Sequence, residues 1–204
     1  NGLGTAKKEI KLEDLFKVKE LNIEDKKEIS EEIKSIEEKN KFIYYFEKVE
    51  AEGYENKIIK LEIKSICFAG KDDNTIVYLP FDASRIKEYR EILNIFENPN
   101  IEKIGYKTKH DFVILKELGI EYNNIKYDAE IAGYNINPTD KNTIEEMSNK
   151  YLEIDIDEYL QNEFKDLQEN KNKQINLFEA MQDDSEQAKE LARKNKMTNS
   201  FYCY

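Results

Sequence analysis

Histidine occurs once in these 204 residues and cysteine twice. No Cys/His spacing suits a zinc site, and Cys67 and Cys203 alone make no disulfide framework. Cys67 lies inside an apolar stretch, as a small core residue would, so the expected compartment is reducing, the cytosol. A lone His110 with no Cys or Ser partner makes no nucleophilic triad. No apolar run approaches the ~20 residues of a membrane-spanning helix, the N-terminus lacks the charged-then-apolar order of a signal peptide, and no internal repeat is visible. Positive charge is outnumbered, with 32 Lys and Arg against 43 Asp and Glu. The net charge is −11, and 153–191 alone has 12 acidic and 4 basic residues. That argues against a free-standing nucleic-acid binder, because grip on phosphate comes mainly from Lys and Arg.

What is present reads as one domain. Asn1–Leu15 is polar and reads as a linker, and Phe16–Leu21 reads as a candidate edge strand. Asp25 and Glu28 open a helix to about Lys39 with Ile29, Ile33 and Ile36 as its buried stripe. Strands follow at 42–49, 57–68 and 75–79, with short connections that imply an antiparallel meander. Tyr44, Tyr45 and Phe46 on the first of them are expected in the core. Ile86, Tyr89, Leu93 and Phe96 mark the next helix. Glu158–Asn176 reads as a polar loop, and Leu177–Tyr204 as helical with a break near Thr198–Ser200.

Gly105–Leu152 organises the rest. A short strand, 101–105, ends in glycine. Thr108 and Asp111 form a T-x-x-D capping box for a helix carrying Phe112, Leu115 and Leu118, and Gly119 stops it. After a strand at 125–127, Asp128 caps a second helix that Asn137-Pro138 ends. Thr143 and Glu146 open a third, running through Ile144, Met147 and Tyr151. Three antiparallel strands followed by strands separated by helices is the order of an α/β, ribonuclease-H-like fold: a mixed five-stranded sheet flanked by helices.

The same stretch closely resembles the 3′–5′ exonuclease (proofreading) domain of bacterial DNA polymerase I. The pieces that carry the resemblance are Gly105…Lys109-His110-Asp111, Gly119-Ile120, Tyr127-Asp128-Ala129, Asn135-Ile136-Asn137-Pro138 and Lys150-Tyr151-Leu152. The resemblance implies a two-metal nuclease site built from three motifs: D-x-E on the first core strand, the aspartate of N-x-x-x-D, and a late Y-x-x-x-D. In gapless register, Tyr45 stands at the Asp position of the first motif and Glu47 at its Glu position. No Asp occurs from Phe42 to Tyr54. In the second motif Asp111 matches, but Lys107 replaces the asparagine and would bring a cation towards the metal position. Tyr202 or a neighbour supplies the tyrosine of the third, with no following Asp before Tyr204.

The expectation is therefore a degenerate domain with no catalytic site intact, no metal and no cofactor. Tyr45, Glu47, Lys107 and Asp111 mark the vestigial positions. Simpler readings compete at several positions: Asp111 and Asp128 as helix caps, Glu47 as a solvated strand residue, His110 as exposed. Residues 16–204 would be the exonuclease-like domain, cut short at its C-terminal end. Its expected partners are the 5′-nuclease and polymerase domains of one parent chain, with DNA reached through that parent, no membrane, and a monomeric state. The alternatives are an active exonuclease using Glu47, Glu50 and Asp111, and an acidic protein-interaction module.

Overall fold

The computed structural model describes residues 12–50, 61–72, 74–163 and 186–203. The linker reading of Asn1–Leu15 falls mostly outside these, and Leu12–Leu15 within them is a helical turn, α1. Residues 57–60, 164–176 and 177–185, read above as strand, loop and helix, also lie outside them.

Six strands form one sheet. In chain order they are β1 (Lys17–Glu20), β2 (Lys41–Glu50), β3 (Leu61–Ala69), β4 (Thr75–Pro80), β5 (Glu102–Gly105) and β6 (Ile125–Asp128). Across the sheet the order is β1-β4-β3-β2-β5-β6. The β2–β3–β4 meander is antiparallel, as its short connections imply. The parallel pairs are β1 with β4, β2 with β5 and β5 with β6. The sheet thus has six strands rather than five, because the candidate edge strand joins it.

The two faces of β2 sort its side chains. Phe42, Tyr44 and Phe46 are buried on one face, against α2 (Lys26–Lys39) and α3 (Arg90–Glu97). The Phe96 ring stands edge-on to Phe42 and Tyr44, with centroids 5.3 Å and 4.9 Å away. Burying each such ring contributes about 2–3 kcal/mol. Ile29, Ile33 and Ile36 of α2 are buried as the stripe predicts. Glu32 is buried beside this stripe. Its carboxylate accepts from Lys19 Nζ at 2.7 Å and from the Lys71 amide at 2.6 Å, so the charge is paired and hydrogen-bonded where it is buried.

The opposite face carries Cys67, Ile76 and partly buried Tyr45 and Tyr78. It packs against α7 (Ile156–Glu163) and α8 (Glu186–Cys203). Ile156 and Leu160 are buried, which makes 158–163 helix rather than loop. Nor does α8 break at Thr198–Ser200. Asn199 and Ser200 are buried within it, and Thr198 Oγ1 returns its hydrogen bond to the Lys194 carbonyl, a bond that lets Thr sit inside a helix. The chain between β5 and α7 adds α4 (Thr108–Glu117), α5 (Ala129–Ile136), α6 (Ile144–Met147) and a π-helical turn, Ser148–Leu152.

Candidate functional site

Asp111 is not a helix cap. The N-cap of α4 is Lys107, in the left-handed region at φ 58°, and Thr108 is already helical. The Thr108 hydroxyl and amide both donate to Asp128 Oδ2, at 2.7 Å each. Asp128 Oδ1 accepts from the amides of Glu130 and Ile131, at 2.9 and 3.3 Å. Asp128 is thus the cap expected of it for α5, and it also ties down the start of α4. With Thr108 committed there, Asp111 turns into the core, where it is 1% exposed.

Both oxygens of Asp111 are occupied. Lys48 Nζ donates to Oδ1 at 2.6 Å, and the Tyr44 hydroxyl donates to Oδ2 at 2.8 Å. The Tyr44 oxygen lies 2.5 Å from that of Tyr122, so the polar chain runs from β2 through α4 to the loop before β6. Burial pushes the Asp111 carboxyl above its ordinary range, while the Lys48 ammonium and the Tyr44 hydroxyl pull it down. Burial and the nearby Asp111 charge push the Tyr44 phenol well up, so it stays a donor. Gly105 leaves room for this tyrosine. A Cβ there would come within 3.0–3.1 Å of the Tyr44 ring and hydroxyl.

Lys48 reaches Asp111 by simple alternation, two residues beyond Phe46 on the Phe42/Tyr44/Phe46 side of β2. The β2–β3 register shifts between Glu47 and Lys48, with Lys64 of β3 as the extra residue. Tyr45 and Glu47, the positions assigned to the first motif, lie before the shift, towards α8. Glu47 is partly buried and accepts from Ser65 Oγ at 2.7 Å, which corrects the solvated reading. The Tyr45 ring meets Tyr202 edge-on, with centroids 5.2 Å apart, and burial and Glu47 raise its phenol pKa. The Tyr202 hydroxyl donates to the Glu145 carboxylate. Burial pulls that carboxyl up, but this bond and its neighbours leave it below the usual range.

Lys107 does not supply the cation at Asp111. Its Nζ stands 3.7 Å from Glu130 Oε1 and 5.2 Å from the centre of the Tyr106 ring. His110 is exposed. The structure therefore brings together Tyr45 with Tyr202, and Asp111 with Lys48 and Tyr44, while Lys107 turns to α5. Sequence reasoning missed Lys48, Tyr44, Tyr122 and Glu145. For Lys48 the available signal is the alternation of β2, which sets it on the side of Tyr44 and Phe46.

These groups do not fit a divalent ion. A hard cation takes about six oxygen ligands, and here an ammonium and a phenol hold both oxygens of Asp111. Among the described residues no group of three or more His, Cys, Asp or Glu side chains is placed to hold a metal.

An antiparallel meander extended by parallel strands, with a buried aspartate on the helix after β5, defines a ribonuclease-H-like domain of the exonuclease type. The family described as DNA polymerase I, ribonuclease H-like domain matches residues 44–160, more than half of the chain, and the chain belongs to that family. Comparison with curated proteins gives no match. Among solved structures, RNase D from Trypanosoma brucei in complex with RNA U12 is 10% identical, with a TM-score of 0.56 over 74% of this chain and 52% of that one. The catalytic core of RRP6 from the same organism is 13% identical, with a TM-score of 0.51 over 69% and 36%. The POL domain of Pol1 from M. smegmatis, in complex with DNA primer-template and dNTP, is 15% identical, with a TM-score of 0.48 over 61% and 22%. Likeness at such identities concerns the fold. The chain spans between about a fifth and a half of these proteins' lengths.

Proposed function

We propose that this domain is a non-catalytic member of its family. It keeps the exonuclease-type fold and serves as a structural part of a DNA polymerase I. In this reading the polymerase domain follows it in the parent chain, a 5′-nuclease region precedes it, and DNA is engaged through the parent. The observation that carries the reading is the ion pair between Lys48 and Asp111, 2.6 Å long with side chains 11% and 1% exposed. The ammonium neutralises the one carboxylate that the family's second motif retains. A metal would have to displace it and leave the ammonium buried without a partner, at a cost of several kcal/mol. Tyr45, packed against Tyr202, adds no carboxylate at the first-motif position.

The test is a nuclease assay. A 5′-labelled single strand incubated with the protein and magnesium should stay full length, and Asp111→Asn should leave that result unchanged. Shortening of the strand that Asp111→Asn abolishes would sink the proposal and establish an active exonuclease using Glu47, Glu50 and Asp111.

A further inference from the structure

Among the described residues, the large apolar side chains left well exposed all fall between residues 112 and 152. Most belong to β6, α5 and the π-helical turn. The two edges of the sheet differ. β1 has the sequence KVKE, and its charges blunt that edge against pairing with another chain. β6, the other edge, leaves Ile125 and Tyr127 about half exposed. α5 follows as a ridge that is apolar on two flanks. On the inner flank Ala132, Gly133 and Ile136 line a groove of about 440 Å³, which Tyr151 and Leu152 continue. On the outer flank Ile131 and Tyr134 are 55% and 59% exposed. A helix apolar on both sides is ordinarily buried, and this one stands open.

We infer that this face joins two copies of the chain in a closed, two-fold dimer, in place of the monomer expected from the sequence. The inference does not rest on the proposed function. Area is the first argument. The exposed side chains of β6, the ridge and the groove wall offer roughly 800 Å² per copy, one partner's share of a stable pair. Shape is the second. A ridge beside a groove complements itself about a two-fold axis, because the ridge of each copy enters the groove of the other. Charge is the third. At −11, two copies repel one another over most of their surface. Around this face the charges cancel within the chain: Lys107 with Glu130, Lys126 with Glu102, Lys141 with Glu146 and Lys150 with Asp140. An apolar face with a neutral rim is where two such chains meet without that repulsion. Interfaces between identical chains are also the more apolar class. Because these four lysines are already paired, phosphates find no free cation among them, which disfavours nucleic acid as the occupant.

The experiment is sedimentation equilibrium of the chain up to about 100 μM, since interfaces of this size hold at micromolar concentrations or below. Hydroxyl-radical labelling is read on the same samples. The wild type should reach the mass of two chains and no more, with Tyr134 and Tyr151 protected. Ile131→Glu should weaken association at least about a hundredfold, because the two-fold axis places the new charge in the interface twice. Tyr134 and Tyr151 should then label freely. Buried Tyr44 should stay protected in both and report an intact fold. Lys34→Glu, at an exposed position of α2, should leave the dimer unchanged. Should Ile131→Glu expose Tyr44, Tyr134→Glu takes its place. A wild type still monomeric at the top of the range would overturn the inference. Tyr134 protected in such a monomer would mean that the face is covered within one chain. A dimer that survives both α5 variants, or an assembly that grows past two copies, would overturn it equally.

Discussion

Replacing Asp111 with alanine separates two accounts of this residue by magnitude. As a helix-cap partner it would be worth about 1 kcal/mol. In the structure its removal leaves the Lys48 ammonium, 11% exposed, without a counter-ion, and the Tyr44 hydroxyl without its acceptor. Breaking a buried ion pair from one side costs about 3–5 kcal/mol, and an orphaned buried hydroxyl contributes about 1–3 kcal/mol of such a loss. A net loss of about 3–4 kcal/mol is expected, because Lys48 retains some access to water. Urea unfolding followed by circular dichroism measures it, read as a lower midpoint at constant slope. The double variant Lys48→Met/Asp111→Ala should recover much of the loss, since it removes the stranded charge, and the cycle gives the coupling between the two side chains. A loss of about 1 kcal/mol, with no recovery in the double variant, would refute the buried-pair account and restore the helix-cap reading.

Lys103 gives a pH test. Its side chain is wholly buried on β5 and donates to the Asn98 carbonyl, and burial lowers its pKa from 10.5 to about 8. The folded state therefore disfavours the charged form. The penalty is full below pH 8 and fades as pH rises from about 8 to 10.5, so this group makes stability rise across that window. Lys103→Met should remove the slope and stabilise the protein at pH 7 by up to about 3 kcal/mol; thermal melts from pH 7 to 10.5 check both. Single-stranded DNA should bind weakly at physiological salt, given the −11 charge. Fluorescence anisotropy reads this, and a submicromolar Kd lost steeply with salt would show a local basic surface outweighing the net charge.

Much of the fold was legible because its signals are local. Alternation on β2, the Asp128 cap and the Asn137-Pro138 stop depend on neighbours in sequence, and each falls where expected. The Thr143 cap holds as well, its hydroxyl accepting from the Glu146 amide at 3.2 Å. Asp111 was misread for the same reason. T-x-x-D is a sound local pattern, but Asp128, seventeen positions later, captures Thr108 and frees Asp111 for the core. Phe112, placed on the buried stripe of α4, is 43% exposed, while Asp111, Ile114 and Leu115 point inward. Alternation sets Lys48 on the inward side of β2, but its partner Asp111 lies 63 residues away on α4, a pairing that no local pattern shows.

The edge strand β1 has a kinetic consequence. It lies parallel to β4, is tied to α2 through Lys19 and Glu32, and meets α8 through Glu20 and Lys196 across 176 residues of chain. Closing so long a loop carries an entropy cost that grows with the logarithm of its length, and contacts of such separation are formed slowly. The seam between the first strand and the last helix is then the final part of the domain to assemble. A short strand with one neighbour and an exposed ion pair also opens readily under thermal fluctuation.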